Sequence, residues 1–426
     1  MLSSVSTPPD ASPSAETDAR AWSHRLAGAL AHRNFRIIWL AALASTIGTW
    51  MQSFAQSWLV FELTKSNFYL GLDTFLGQLP ILLLMLIGGV IADRHDRRRL
   101  LTGSQYVQAF AALTLALLVW SGQITVWFIF LLSFISGCGQ AFGGPAYQAL
   151  IPSLVPRRDL PNAIALNSTQ FNLSRVLGPV AGGAVLATIG VAACFALNGF
   201  SFFIVVIALA ALHLPPHVPS TKPRALEQEL RSGLHYVREQ RIMMILTLLA
   251  FVTAFLTMPV ATLMPTFAAS FSPTGDAQQW LWVFMACQGL GAIVGALIVG
   301  TLGRRRYMGR ALLVGQILLG VSVAAFAWSR FLPLSIVLLF VSGICSMAVF
   351  SMSFSLLQLT VPDELRGRVI SIYMVALRGG WPLGALVTGF VADLFTAPAV
   401  IVVNGVVLAA LAAALLLRRG GTLNRA

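Results

Sequence analysis

Apolar runs of about 20 residues recur from Phe35 to Leu417, separated by short polar breaks. A helix of about 20 residues crosses a hydrocarbon core about 30 Å thick. The pattern therefore predicts twelve membrane-spanning helices, near residues 35–61, 68–92, 101–121, 124–150, 163–188, 190–213, 242–270, 279–300, 311–328, 332–359, 369–392 and 396–417. The widest break follows the sixth, where a Pro-rich stretch leads into ALEQELRSGLHYVREQ. Leu226, Leu230, Leu234 and Val237 fall on one helical face there, which predicts a linker helix, either on the membrane surface or simply solvated. The expected organisation is a disordered N-terminal tail (1–33), a six-helix bundle (34–213), a linker (214–241), a second six-helix bundle (242–417) and a C-terminal tail (418–426).

The two bundles share landmarks, as a duplicated unit would. DRRR at 96–99 is matched by GRRR at 303–306, Val155-Pro156 by Val361-Pro362, and Arg175 with Pro179 by Arg378 with Pro382. The fold class expected is an all-α membrane protein of twelve helices in two pseudo-repeated six-helix bundles.

Composition agrees: 57% of residues are hydrophobic, 10% are charged, and mean hydropathy is +0.80. The net charge of +13 raises the question of nucleic acid, and its placement answers it. With the exceptions of Lys65, Arg330, Arg175 and Arg378, every Lys and Arg lies in the tails or in alternate loops. The positive-inside rule assigns those segments, and both termini, to the cytoplasm, with no nucleic-acid partner. Cys138, Cys194, Cys287 and Cys345 all fall within predicted spans, so neither a disulfide nor a metal site is indicated.

Residues 88–100 read GGVIADRHDRRRL. This loop resembles the signature loop of the major facilitator superfamily, G-x-L-A-D-R-x-G-R-R/K, with Asp96 where that family usually has Gly. The resemblance implies a gate built from Gly89, Asp93, Arg94, Arg97 and Arg98. The second-half copy has Gly300 in place of the acid, which implies an asymmetric gate. SRVLGPVAGG at 174–183 resembles part of the pattern of antiporter-type exporters in the same superfamily; Gly178, Pro179 and, in the repeat, Pro382 are then candidates for helix flexing, and close helix packing is the plainer use of such residues. NFR (34–36), GTWMQ (48–52), FELTKS (61–66), GGPAYQALIPSLVP (143–156), NAIALNS (162–168) and VPDELRGRV (361–369) together resemble the enterobactin-exporter branch, which also contains macrolide-efflux relatives. The resemblance implies a proton-driven exporter of the bacterial inner membrane, monomeric, with a siderophore-, drug- or metabolite-like cargo and no cofactor.

Charge inside a bilayer is unfavourable, so Arg175 and Arg378 need a role: they attract an anionic cargo, or they bond carbonyls freed beside Pro179 and Pro382. Ser45, Thr49, Gln52 and Gln56 form a polar stripe on the first span, facing either the cavity or a neighbouring helix. Gln140 and Asn172 are further cavity candidates. Asp73 is the candidate for proton coupling, although its distance of about 30 Å from Asp93 places it near the outer boundary, where a carboxylate also serves simply to mark the membrane edge. Catalysis is not expected, since all six histidines lie outside the spans or at their ends. ATP hydrolysis is not expected either, because neither Lys65 nor Lys222 follows glycine in a phosphate-binding loop. An importer of the same fold and a non-transporting receptor or scaffold are the competing readings.

Overall fold

A computed structural model describes residues 28–213, 226–272, 277–302 and 308–417. The first half contains α1 (Arg33–Thr64), α2 (Asn67–Arg94), α3 (Arg97–Trp120), α4 (Val126–Leu150), α5 (Leu160–Thr188) and α6 (Val191–Ala210). A linker helix, α7 (Leu226–Glu239), leads to α8 (Arg241–Thr257), α9 (Pro259–Thr262) and α10 (Met264–Phe271). The chain continues through α11 (Ala277–Leu302), α12 (Met308–Trp328), α13 (Leu332–Thr360), α14 (Arg366–Leu394) and α15 (Ala397–Leu417). No strand occurs among the described residues.

Eleven helical segments are long and apolar enough to cross a membrane. The twelfth crossing is α5, whose 29 residues span the same depth but are diluted by Asn162, Asn167, Gln170, Asn172 and Arg175. The seventh span departs from the single helix expected over 242–270. Pro259 and Pro265 each remove an N–H that would bond a carbonyl four residues back, six residues apart in one segment, and the helix breaks into α8, α9 and α10. At the N-terminus, the expected disorder of 1–33 does not extend to Gly28–Ala31, which form a 3₁₀ turn. Ala29 N–H donates to Asn162 Oδ1 at 2.9 Å, and His32 bonds Asp159 at 2.8 Å. That hydrogen bond from His32 is the main reason the Asp159 carboxyl lies below the usual carboxylate range. The tails at 1–27 and 418–426, and the linker stretch 214–225, lie outside the described residues.

The repeat seen in the sequence recurs in the packing. In the first half α2 packs on α4, α3 on both α4 and α6, and α1 on α5; in the second, α11 packs on α13, α12 on both α13 and α15, and α8 on α14. Across the seam, α2 runs antiparallel to α14 and α5 to α11. For orientation, the end carrying the α2–α3 turn is called the basic end, and the other the far end.

Lipid is as apolar as leucine, so helices in it are held by close backbone approach and hydrogen bonds more than by the hydrophobic effect. Gly71 and Gly389 supply that approach at the far end. A Cβ on Gly71 would collide with the carbonyl oxygen of Ala385, and one on Gly389 with that of Asn67. At mid-depth the contact continues through Leu82, 3.4 Å from where a Cβ on Gly379 would stand. Towards the basic end, an added Cβ on Gly89 or Gly367 would meet nothing within 4 Å among the described residues. The seam is closed at the far end and unsupported at those two glycines. Replacing Gly71 with Ala is expected to push α14 away and open the far end. Spin labels on cysteines placed at the exposed positions Leu63 and Phe395, with the native cysteines replaced, report this as a lengthened distance.

Candidate transport site

Asp73 is half-buried on α2, about 9 Å below the start of that helix. Its carboxylate accepts hydrogen bonds from Gln56 Nε2 on α1 at 3.0 and 2.8 Å and from Ser133 Oγ on α4 at 2.7 Å. Gln56 belongs to a longer chain. Asn198 Nδ2 on α6 donates to Gln52 Oε1 at 2.7 Å, and Gln52 Nε2 donates to Gln56 Oε1 at 3.4 Å. The polar stripe of α1 is thus directed at neighbouring helices for Gln52 and Gln56. Thr49 is exposed and its hydroxyl bonds the Ser45 carbonyl of its own helix at 3.0 Å. Gln140 is exposed on α4, and Asn172 bonds the Ser168 carbonyl at 2.9 Å. Ser133 and Asn198 were not singled out from the sequence; each is a neutral polar residue in an apolar run, without the titratable group that marked Asp73.

Among the described residues no cation pairs with Asp73. The adjacent Thr74 bonds Thr262 of α9 at 3.4 Å, across the seam. A titratable carboxylate therefore stands one residue from the closure between the halves.

The guanidinium of Arg175 lies 5.9 Å from the ring centre of Trp50, which meets Phe171 edge-on at 5.9 Å. Arg378 is exposed midway along α14. Neither side chain bonds a carbonyl beside Pro179 or Pro382, and α5 and α14 run unbroken through those prolines. The glycine beside Pro179 serves close packing: a Cβ on Gly178 would collide with Trp50 of α1.

The far end carries a contact that sequence reasoning did not find. Asp393, in the last turn of α14, caps the N-terminus of α2 from the opposite half. Its oxygens accept from the backbone N–H of Asn67 at 2.7 Å and of Phe68 at 3.0 Å, from Asn67 Nδ2 at 2.9 Å, and from the Ser66 hydroxyl. Thr266 of α10 adds a 2.6 Å bond to Asn67 Oδ1. Free N–H groups and the positive helix end both favour a carboxylate there, by about 0.5–2 kcal/mol.

This arrangement, two six-helix halves closed at one end over a polar interior, fits the comparisons with known proteins. The family described as transmembrane secretion effector matches residues 25–422. The chain belongs to that family. It is a major facilitator superfamily transporter and not an enzyme. Among curated relatives, macrolide efflux protein A of Streptococcus pyogenes is 25% identical over 84% of this chain and 89% of that protein. The enterobactin exporter EntS of Citrobacter koseri is 27% identical over 91% and 92% of the respective chains. Of solved structures, a bacterial homologue of the human lysosomal transporter Spinster, inward-facing and unoccupied, aligns with a TM-score of 0.73 at 16% identity, covering 90% of this chain and 95% of that one. The nucleoside transporter NupG aligns with a TM-score of 0.72 at 15% identity, covering 91% and 99%.

In this secretion-effector chain, the arginines of the α2–α3 turn brace their own half. Arg97 donates to the Ala149 carbonyl at the end of α4 at 2.7 Å, and Arg98 to the Ala210 carbonyl at the end of α6 at 3.0 Å. Cations at helix C-termini satisfy carbonyls that lack a partner in the helix. Asp96, where the family motif has Gly, caps α3 by accepting from Arg98 N–H at 2.8 Å. The side chains of Asp93 and Arg94 lie outside the described residues. The expected consequence of losing the Asp393 cap is a shift towards a far-end-open transporter. Asp393→Ala should increase alkylation of a cysteine at Thr74 from the far side by about fivefold, in line with a contribution of about 1 kcal/mol.

Proposed function

We propose that this transporter exports a small amphipathic molecule across the bacterial cytoplasmic membrane by alternating access, in exchange for protons. The Lys and Arg bias supports placing the basic end and both termini in the cytoplasm. On that assignment the far-end closure corresponds to an inward-open state, in which cargo enters from the cytoplasm. Export, rather than import, is favoured by the names of the relatives: macrolide efflux protein, multidrug efflux pump and enterobactin exporter.

The observation that carries proton coupling is Asp73, a carboxylate with no cation partner among the described residues, held by Gln56 and Ser133 beside the Thr74–Thr262 contact. Protonation removes its charge and weakens its grip on both donors. In this reading, Asp73 takes a proton when the far end opens and releases it when the basic end opens, so that proton entry drives the return of the empty carrier.

The test is efflux from energised vesicles loaded with a panel of siderophores, macrolides and dyes, with and without a protonophore, comparing wild type with Asp73→Asn at matched abundance. Uncoupler-sensitive efflux by wild type, reduced about tenfold or more in the variant, is the expected result. Efflux indifferent to the uncoupler would rule out proton exchange. Efflux of no compound, with uptake into right-side-out cells, would reverse the direction.

A further inference from the structure

The two arginines within the spans carry charge that proton coupling does not use. Arg175 lies 15 residues from the start of α5 and Arg378 lies 12 from the start of α14. Both are therefore about 18–22 Å along their helices, near the middle of a membrane. A guanidinium at that depth is stable only where it meets water, an acid or another polar partner.

Both point away from lipid. On α14 the exposed apolar stripe is Leu383, Val387, Phe390 and Leu394. Val387 follows Arg378 by nine residues, two and a half turns, so the arginine is on the opposite side. On α5, exposed Ala184 follows Arg175 by the same nine residues, whereas Phe171 precedes it by four and shares its face. Phe171 is 51% exposed on that face, an unusual setting for an aromatic ring directed away from lipid.

Among the described residues neither arginine has an acid partner and neither makes a hydrogen bond; the polar or ring contact found there is that of Arg175 with Trp50. Asp73 is occupied by Gln56 and Ser133. The charge is therefore unbalanced by the described residues, and it is contributed by both halves at matched positions of the repeat.

We propose that Arg175 and Arg378 each present an anion-binding guanidinium to the cargo route, and that the cargo is an amphipathic molecule bearing at least one ionised acid group, with a flat apolar body resting on Trp50 and Phe171. Guanidinium forks donate paired hydrogen bonds to an acid's oxygens, and the aromatic pair offers a face and an edge to an apolar ring. One such arginine in each half also offers an acidic cargo a partner on both of the bodies that must rock. The proposal rests on the transport reading above only in assuming that α5 and α14 line the cargo route; it needs neither proton coupling nor a given direction.

The test is equilibrium binding of 1-naphthylacetate, and of its neutral counterpart 1-naphthylacetamide, to the full chain in nanodiscs. Wild type is expected to bind the acid about tenfold or more tightly than the amide. Arg175→Gln and Arg378→Gln should each abolish most of that preference while leaving amide binding in place, which also shows that the variants are folded. Arg175→Lys should retain part of it, since the charge stays and the fork goes. Equal binding of acid and amide by wild type, a preference that survives both Gln substitutions, or no binding of either probe at millimolar concentration would overturn the proposal. Acid binding intact alongside uncoupler-insensitive efflux would sink the coupling reading alone, and lost acid preference alongside uncoupler-sensitive efflux would sink this one alone.

Discussion

The contact on which the architecture depends is the antiparallel crossing of α2 and α14. Between halves that must separate and rejoin, a large apolar interface would be of little use, since lipid solvates apolar surface equally well. What remains is backbone approach, permitted at Gly71 and Gly389, and a small set of far-end hydrogen bonds, accepted by Asp393 and Thr262 and donated by Thr266. Such an interface has a short reach. It holds firmly where the glycines meet backbone and lapses where Gly89 and Gly367 meet nothing among the described residues, so closure at one end does not oblige closure at the other.

The charged groups inside the bundle divide according to how they are satisfied. Asp73 is supplied with donors from α1 and α4, and the α1 donor, Gln56, is itself supplied from α6 through Gln52. The first half therefore carries a continuous polar chain, costly to leave half-made and specific once complete. Arg175 and Arg378 have no such chain. A group the protein satisfies is suited to holding a proton or a conformation, whereas one it leaves unsatisfied is suited to meeting something that arrives from outside.

Much of this was legible in the sequence, for identifiable reasons. Span length is read residue by residue, and the repeat left landmarks such as Arg175 with Pro179 and Arg378 with Pro382. The broken seventh span was missed because its apolar run is continuous; only the pair Pro259 and Pro265 marked it, and single prolines such as Pro80, Pro145, Pro179 and Pro382 sit in unbroken helices. One proline removes one hydrogen bond, which surrounding turns tolerate, whereas two within six residues deprive consecutive turns. The direction of the α1 stripe stayed open because periodicity shows that residues share a face and is silent on what that face meets. The Asp393 cap leaves no local mark in the sequence, since its partners Ser66, Asn67 and Phe68 lie more than 300 residues away.

Asp393 also explains why an acid is tolerated where helix electrostatics oppose it. A carboxylate in the last turn of a helix faces that helix's own negative end and is disfavoured in isolation. Docked on the first N–H groups of α2, the same carboxylate meets a positive end and donors that would otherwise lack partners. Its contribution is therefore conditional: favourable when the seam is closed at the far end, unfavourable when α2 withdraws. A group with that sign change biases the equilibrium between states without holding either permanently, and its exposed position keeps the bias near 1 kcal/mol, small enough for cargo or protons to outweigh.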